Sequence, residues 1–283
     1  MGTNRTNIYK KSNKRIYKWL INTFILFVLI IFQLTFILFV FQDKFIYKIR
    51  KDDFTISEYT ETKYLESKDN NLQLYYINNN SDTDIYVFHG SLVSLKVHQL
   101  ICKKMCGKKY NLITFFYRGY NKNGGKCNEV NIMIDTYVLY KYVSMCRSKN
   151  KKIIFGQSLG CASALYFASL FDKKTDLKII LENPFYDMQS ITKNSWFFKI
   201  PSFILHEDWP NHLRINNLIN INLKILFIVS EKDIIVDNKD SYKLMEINKK
   251  IKTYIYVLKG ATHFDCGKFK EFFITVDYFI SKE

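Results

Sequence analysis

Three residues of the 283-residue chain stand in an order that could carry out acyl transfer: Ser158, Asp233 and His263. A serine hydroxyl attacks a carbonyl only when a base removes its proton. Histidine is the side chain suited to that task near neutral pH, and a carboxylate can hold the imidazole in the right tautomer. Ser158 sits in Gly156-Gln157-Ser158-Leu159-Gly160, directly after the apolar run KKIIF and before LGCASALYFASL. A G-x-S-x-G string alone is a common accident. Between a strand and a helix it has the setting of a nucleophile elbow, where small residues relieve a sharp turn and the helix N-terminus faces a developing oxyanion. The competing reading is an ordinary strand–helix turn with a capping serine.

Asp233 follows the apolar run KILFIVS, with Glu231 and Asp237 as alternative carboxylates in the same loop. His263 follows the predicted strand TYIYVL, whereas none of His98, His206 and His212 sits just after a predicted strand. His89 ends the run IYVF but precedes the serine, so it reads as structural. The backbone N–H of Ser91, just after His89-Gly90, and that of Leu159 are the candidate oxyanion donors. No metal or organic cofactor is implied. Cys102 and Cys106 have a ligand-like spacing, but no second Cys or His pair answers them, and the six scattered cysteines read as small buried hydrophobes.

These residues need elements to position them. Apolar runs at 72–77, 85–88, 112–116, 152–155, 177–181, 224–229 and 253–258 read as buried strands. Helical patterns cover 129–146, 159–171 and 268–280. Alternation of the two predicts an α/β fold with a mostly parallel sheet flanked by helices, and residues 54–60 are expected to pair antiparallel with 72–77 at its start. In such sheets function gathers at the carboxyl ends of the strands. The stretch 184–220 is expected to form a small cap. It is rich in aromatics (Phe185, Tyr186, Trp196, Phe197, Phe198, Phe203 and Trp209), either as an apolar lid or as packing on the sheet.

Trp19 to Phe41 carries no charge over 23 residues. As a helix it would be ~34 Å long, enough for a ~30 Å hydrocarbon core. It lacks the small-residue cleavage site of a signal peptide, so it reads as an uncleaved single-pass anchor that partners a lipid bilayer through 19–41, after a basic tail at 1–18. Six Lys or Arg precede it and four follow, favouring a cytoplasmic N-terminus and a domain across an endomembrane. Asn79-Asn80-Ser81 would then be a glycosylation sequon on the far side. The net charge of +16 is spread over the chain rather than gathered in a recognisable module, which argues against a nucleic-acid partner. The oligomeric state is left open.

The segments FHG (88–90), FYRGY (116–120), FGQSLG (155–160), LENPF (181–185), SEKDIIV (230–236) and GATHFD (260–265) together resemble α/β-hydrolases of the bud-emergence type, over about 85 to 280. The resemblance implies the α/β-hydrolase fold and a serine hydrolase, and the domain is expected to run over 42–283. It places nucleophile, acid and base at Ser158, Asp233 and His263, with donors at Ser91 and Leu159. An ester or thioester is the expected substrate, on a small molecule, a lipid or an acylated protein, the last two suited by an apolar lid formed by the aromatic stretch. The chain departs from the pattern at Ser91-Leu92-Val93-Ser94, Cys161, Asn121 and Asp237. Two other classes fit the same fold: a binding or scaffold protein that hydrolyses nothing, and a serine peptidase acting on short peptides.

Overall fold

The computed structural model describes residues 3–47, 59, 61–67, 70–92, 95–107, 109–120, 124–194, 204–220 and 222–282. The chain falls into two compact units, Met1–Gln42 and Asp43–Glu283. Helix α1 (Thr3–Ile46) makes up nearly all of the first. Its stretch Lys14–Ile46 is long and apolar enough to cross a membrane. Apolar side chains along it, Phe24, Leu29 and Phe36 among them, are exposed.

The second unit is built on eight strands: β1 (Glu61–Ser67), β2 (Asn70–Ile77), β3 (Thr83–Phe88), β4 (Asn111–Phe115), β5 (Lys151–Gln157), β6 (Leu177–Glu182), β7 (Lys224–Ser230) and β8 (Lys252–Leu258). They form one sheet in the order β1-β2-β4-β3-β5-β6-β7-β8. β1 pairs antiparallel with β2, and β2 with β4; every later pair is parallel. The seven apolar runs read from the sequence all appear as strands. Central strands are apolar almost throughout because helices cover both faces, leaving no solvent side for polar residues. β3 and β4 are buried at every position.

The antiparallel partner of β2 is Glu61–Ser67; the expected partner, 54–60, lies outside the described residues apart from Tyr59. ETKYLES carries charges and has half-exposed positions, as an edge strand can. It therefore shows no apolar run.

The helices of this unit are α2 (Leu95–Cys106), α3 (Glu129–Cys146), α4 (Leu159–Ser169), α5 (Met188–Asn194), α6 (Asn211–Asn216), α7 (Asn238–Ile247) and α8 (Lys270–Ser281). Asn128 caps α3 by accepting the Asn131 N–H at 2.8 Å. In α4 the small residues Ala162, Ala164 and Ala168 are buried and let the helix lie close to the sheet. Arg118, just after β4, donates to both oxygens of Asp135 on α3, each at 2.8 Å, and to Ser67 Oγ of β1 at 3.0 Å. That buried fork ties the strand edge, α3 and the FYRGY segment together.

Five cysteines (102, 106, 127, 161 and 266) are buried and Cys146 is exposed, all free. The Asn79 amide nitrogen donates to the carbonyls of Gly107 and Tyr110, at 3.1 and 2.7 Å, so the sequon asparagine is engaged within the fold.

Candidate active site

Four strands deliver the site from their carboxyl ends: β3 leads to Ser91, β5 to Ser158, β7 to Asp233 and β8 to the His263 loop. Ser158 occupies the turn between β5 and α4 with φ 51° and ψ −115°, a backbone conformation that non-glycine residues rarely adopt. The two flanking glycines make that turn possible. A Cβ on Gly156 would lie 2.6 Å from the Cys161 Cα, and one on Gly160 would lie 2.1 Å from the Phe88 carbonyl oxygen. The Ser158 N–H donates to the Glu182 carbonyl at 2.8 Å, which pins the turn to β6.

His263 Nε2 is 2.9 Å from Ser158 Oγ, and His263 Nδ1 is 2.6 Å from Asp233 Oδ2. The second Asp233 oxygen accepts the N–H groups of Ile235 and Val236 at 2.8 and 2.9 Å. The carboxylate is thus fixed on one side by backbone and faces the imidazole on the other. Its loop is stitched to the histidine loop: Lys232 N–H donates to the Ala261 carbonyl at 2.8 Å, and Gly260 N–H to Glu231 Oε2 at 2.8 Å. Glu231 and Asp237, the alternative carboxylates, do other things. Glu231 accepts that backbone bond, and Asp237 caps α7 by accepting the Lys239 N–H at 2.9 Å.

His89 is fully buried and stacks on Tyr117 with ring centroids 4.0 Å apart. Its Nδ1 lies 2.8 Å from the Gly90 carbonyl and its Nε2 accepts the Tyr117 N–H at 3.3 Å, which fixes Nδ1 as the protonated nitrogen. Burial pushes its pKa down to about 4, so the ring is neutral near pH 7. His89 braces the loop that carries Gly90 and Ser91. The Tyr120 hydroxyl braces it too, donating to the Ser91 carbonyl at 2.7 Å. The remaining histidines lie elsewhere: His98 bonds Thr114, His206 bonds Asp43, and His212 stacks on Tyr186.

The two N–H groups expected to face an oxyanion, those of Ser91 and Leu159, belong to residues that border the cavity in front of Ser158. Leu159 opens α4, and first-turn N–H groups have no partner within their own helix. The cavity has a volume of about 180 Å³. Its lining combines polar Gln157, Ser158 and His263 with apolar Ile46, Val97, Met188, Ile191, Ile235 and Phe264. Of the aromatic stretch expected as a cap, Phe185 borders the cavity, Trp209 is fully buried, and Trp196, Phe197, Phe198 and Phe203 lie outside the described residues.

Sequence reasoning passed over several supporting groups. Glu182, fully buried at the end of β6, has its carboxyl raised by burial and accepts from Gln157 Nε2 at 3.0 Å. Asn183 joins β6 to β7: its amide nitrogen donates to Ser230 Oγ at 3.0 Å and its oxygen accepts the Ser230 N–H at 2.8 Å. The only hint of either was their place in LENPF, just after an apolar run.

No family model matches the chain. It is 26% identical to the uncharacterized protein R595 of Acanthamoeba polyphaga mimivirus, over 75% of this chain and 78% of that one. It is 28% identical to protein bem46 of Schizosaccharomyces pombe, over 55% and 52%. It is 26% identical to the lysophosphatidylserine lipase ABHD12 of Danio rerio, over 49% and 39%. The matches thus span about half the length of bem46 or less in ABHD12. The Pyrococcus furiosus esterase Pf2001 superposes with a TM-score of 0.64 at 16% identity, covering 82% of this chain and 94% of that one. XC6422 of Xanthomonas campestris, described as an α/β serine hydrolase without a lid, superposes with a TM-score of 0.55 at 15% identity, covering 77% and 92%. A sheet of this order, with these structural neighbours, gives the chain the α/β-hydrolase fold.

Proposed function

We propose that the chain is a membrane-anchored serine hydrolase that cleaves an ester or thioester through Ser158, His263 and Asp233. The observation that supports this reading most is the continuous chain of hydrogen bonds from Ser158 Oγ to His263 at 2.9 Å and from His263 to Asp233 at 2.6 Å. Ser158 Oγ attacks the substrate carbonyl as His263 Nε2 takes its proton. The N–H groups of Ser91 and Leu159 stabilise the tetrahedral oxyanion. The imidazolium, steadied by Asp233, returns the proton to the leaving group. Water then cleaves the acyl-enzyme by the same steps in reverse roles.

The apolar residues lining the cavity suit an acyl chain, and a relative named as a lysophosphatidylserine lipase supports a lipid or acylated substrate. The anchor is residues 19–41, within the stretch long and apolar enough to span a bilayer. The domain from 42 onward lies across that membrane from the basic tail, with 184–220 as its cap.

The test is pre-steady-state hydrolysis of p-nitrophenyl butyrate by the full chain in detergent. Formation of an acyl-enzyme that deacylates slowly gives a burst of p-nitrophenol close to one equivalent of protein, then a slower steady rate. Folded protein that releases p-nitrophenol no faster than buffer would contradict the proposal.

A further inference from the structure

The end of α1 borders the catalytic cavity. Ile46 is only 5% exposed and is one of the apolar residues that line the cavity shared with Ser158. It belongs to the Asp43–Glu283 unit, although it lies in the same helix as the apolar run. Its position is held by a buried polar clamp on the next residue. The Tyr47 hydroxyl bonds the Glu207 carboxylate, and Trp209 Nε1 donates to both, at 3.1 Å each. The Tyr47 and Trp209 rings meet edge to face at 6.4 Å. The other Glu207 oxygen accepts the Glu129 N–H at 3.0 Å. One turn back, Asp43 pairs with Lys126 at 2.8 Å and with His206 at 3.3 Å.

A segment that only tethers a domain to a membrane needs no buried network, because linkers are ordinarily exposed and polar. A buried phenol, indole and carboxyl that satisfy one another hold a single geometry. Here that geometry keeps an isoleucine in the wall of the cavity.

We infer that Ile46 is a specificity-determining residue of the acyl pocket, and that the substrate is a long-chain acyl ester taken from the bilayer that holds 19–41. The inference rests on Ser158 being the nucleophile. Covalent connection supports the choice of a bilayer source. Ile46 lies five residues beyond Phe41, the last residue of the apolar run. Five residues of fully extended chain reach at most ~18 Å. An acyl chain leaving a bilayer at the end of the run therefore has little distance to cover before meeting this wall. The cavity, about 180 Å³, is small beside the roughly 300–1,000 Å³ of sites that enclose a drug-sized ligand. In a space of this size, a change of side-chain volume at position 46 alters how much of an acyl chain enters.

The experiment compares wild type, Ile46→Trp and Ile46→Ala, each as the full chain in phosphatidylcholine vesicles. The substrates are p-nitrophenyl palmitate carried in the vesicles and p-nitrophenyl acetate in solution. The readout is the ratio of kcat/KM for palmitate to that for acetate, with the thermal midpoint of each protein as a check on folding. Filling the pocket with Trp lowers the ratio by about 10-fold or more, the scale on which apolar pockets discriminate chain length, and Ala raises it. Two folded variants with the wild-type ratio would overturn the role of Ile46 while leaving the nucleophile intact. A wild type that hydrolyses acetate but not vesicle-borne palmitate would overturn the bilayer source. A folded wild type that hydrolyses neither would remove the nucleophile assignment, and this inference with it.

Discussion

Asp233→Asn is expected to lower kcat for ester hydrolysis by about 10⁴-fold, while Glu231→Gln stays within a few-fold of wild type. The asparagine keeps the oxygen that accepts the Ile235 and Val236 N–H groups at 2.8 and 2.9 Å, so the loop keeps its shape. What changes is the atom facing His263 Nδ1, now 2.6 Å from a carboxylate oxygen. An amide N–H there requires Nδ1 to accept. The ring proton then sits on Nε2, pointing at Ser158 Oγ, and the imidazole can no longer take the serine proton. Glu231 is exposed and serves the Gly260 N–H, a bond that a glutamine oxygen can also accept. Steady-state kcat on p-nitrophenyl butyrate checks both variants. A loss below about 10-fold for Asp233→Asn would assign the orienting role elsewhere.

Asp135→Ala is expected to destabilise the fold by about 3–5 kcal/mol, although it lies away from the reacting atoms. Asp135 and Arg118 are 1% and 2% exposed, so solvent cannot take over when the carboxylate goes. The substitution leaves a buried guanidinium without the two 2.8 Å bonds that compensate its charge. Arg118 also sits two residues before Tyr120, whose hydroxyl holds the Ser91 carbonyl, so loosening it reaches the loop that carries Ser91. For a domain of this size the loss corresponds to a thermal midpoint lower by on the order of 10 °C. Arg118→Met combined with Asp135→Ala recovers part of the loss, because removing both charges avoids the uncompensated one. A single variant as stable as wild type, or a double variant no better than the single, would contradict this account of the pair.

Much of the molecule was legible because its strands are buried on both faces. Residues 179–181 and 225–229 show as unbroken apolar runs, and each run ends where a chemically capable loop begins. Ser158, Asp233 and His263 stood out by their places after such runs, and the structure puts His263 within hydrogen-bond distance of both Ser158 and Asp233. Short-range pattern carries no trace of the rest. The edge strand β1 has no apolar run to betray it. His89 was readable as structural only from chain order, whereas its reason is a stack on Tyr117 and two backbone bonds. Glu182, Asn183 and the clamp from Tyr47 to Glu207 and Trp209 depend on partners 25 to 162 positions away. Ile46 carried no signal, because a residue five positions past an apolar run gives no sign that it lines a cavity.

The most direct test of Ser158 as an activated nucleophile is labelling of the detergent-solubilised full chain with a fluorophosphonate, beside Ser158→Ala. Wild type is expected to label at one site, with the adduct on the peptide containing Gly156 to Gly160, and the folded alanine variant is expected to label not at all. A folded wild type that resists both this probe and a smaller sulfonyl fluoride, or an alanine variant that labels as well as wild type, would contradict the claim.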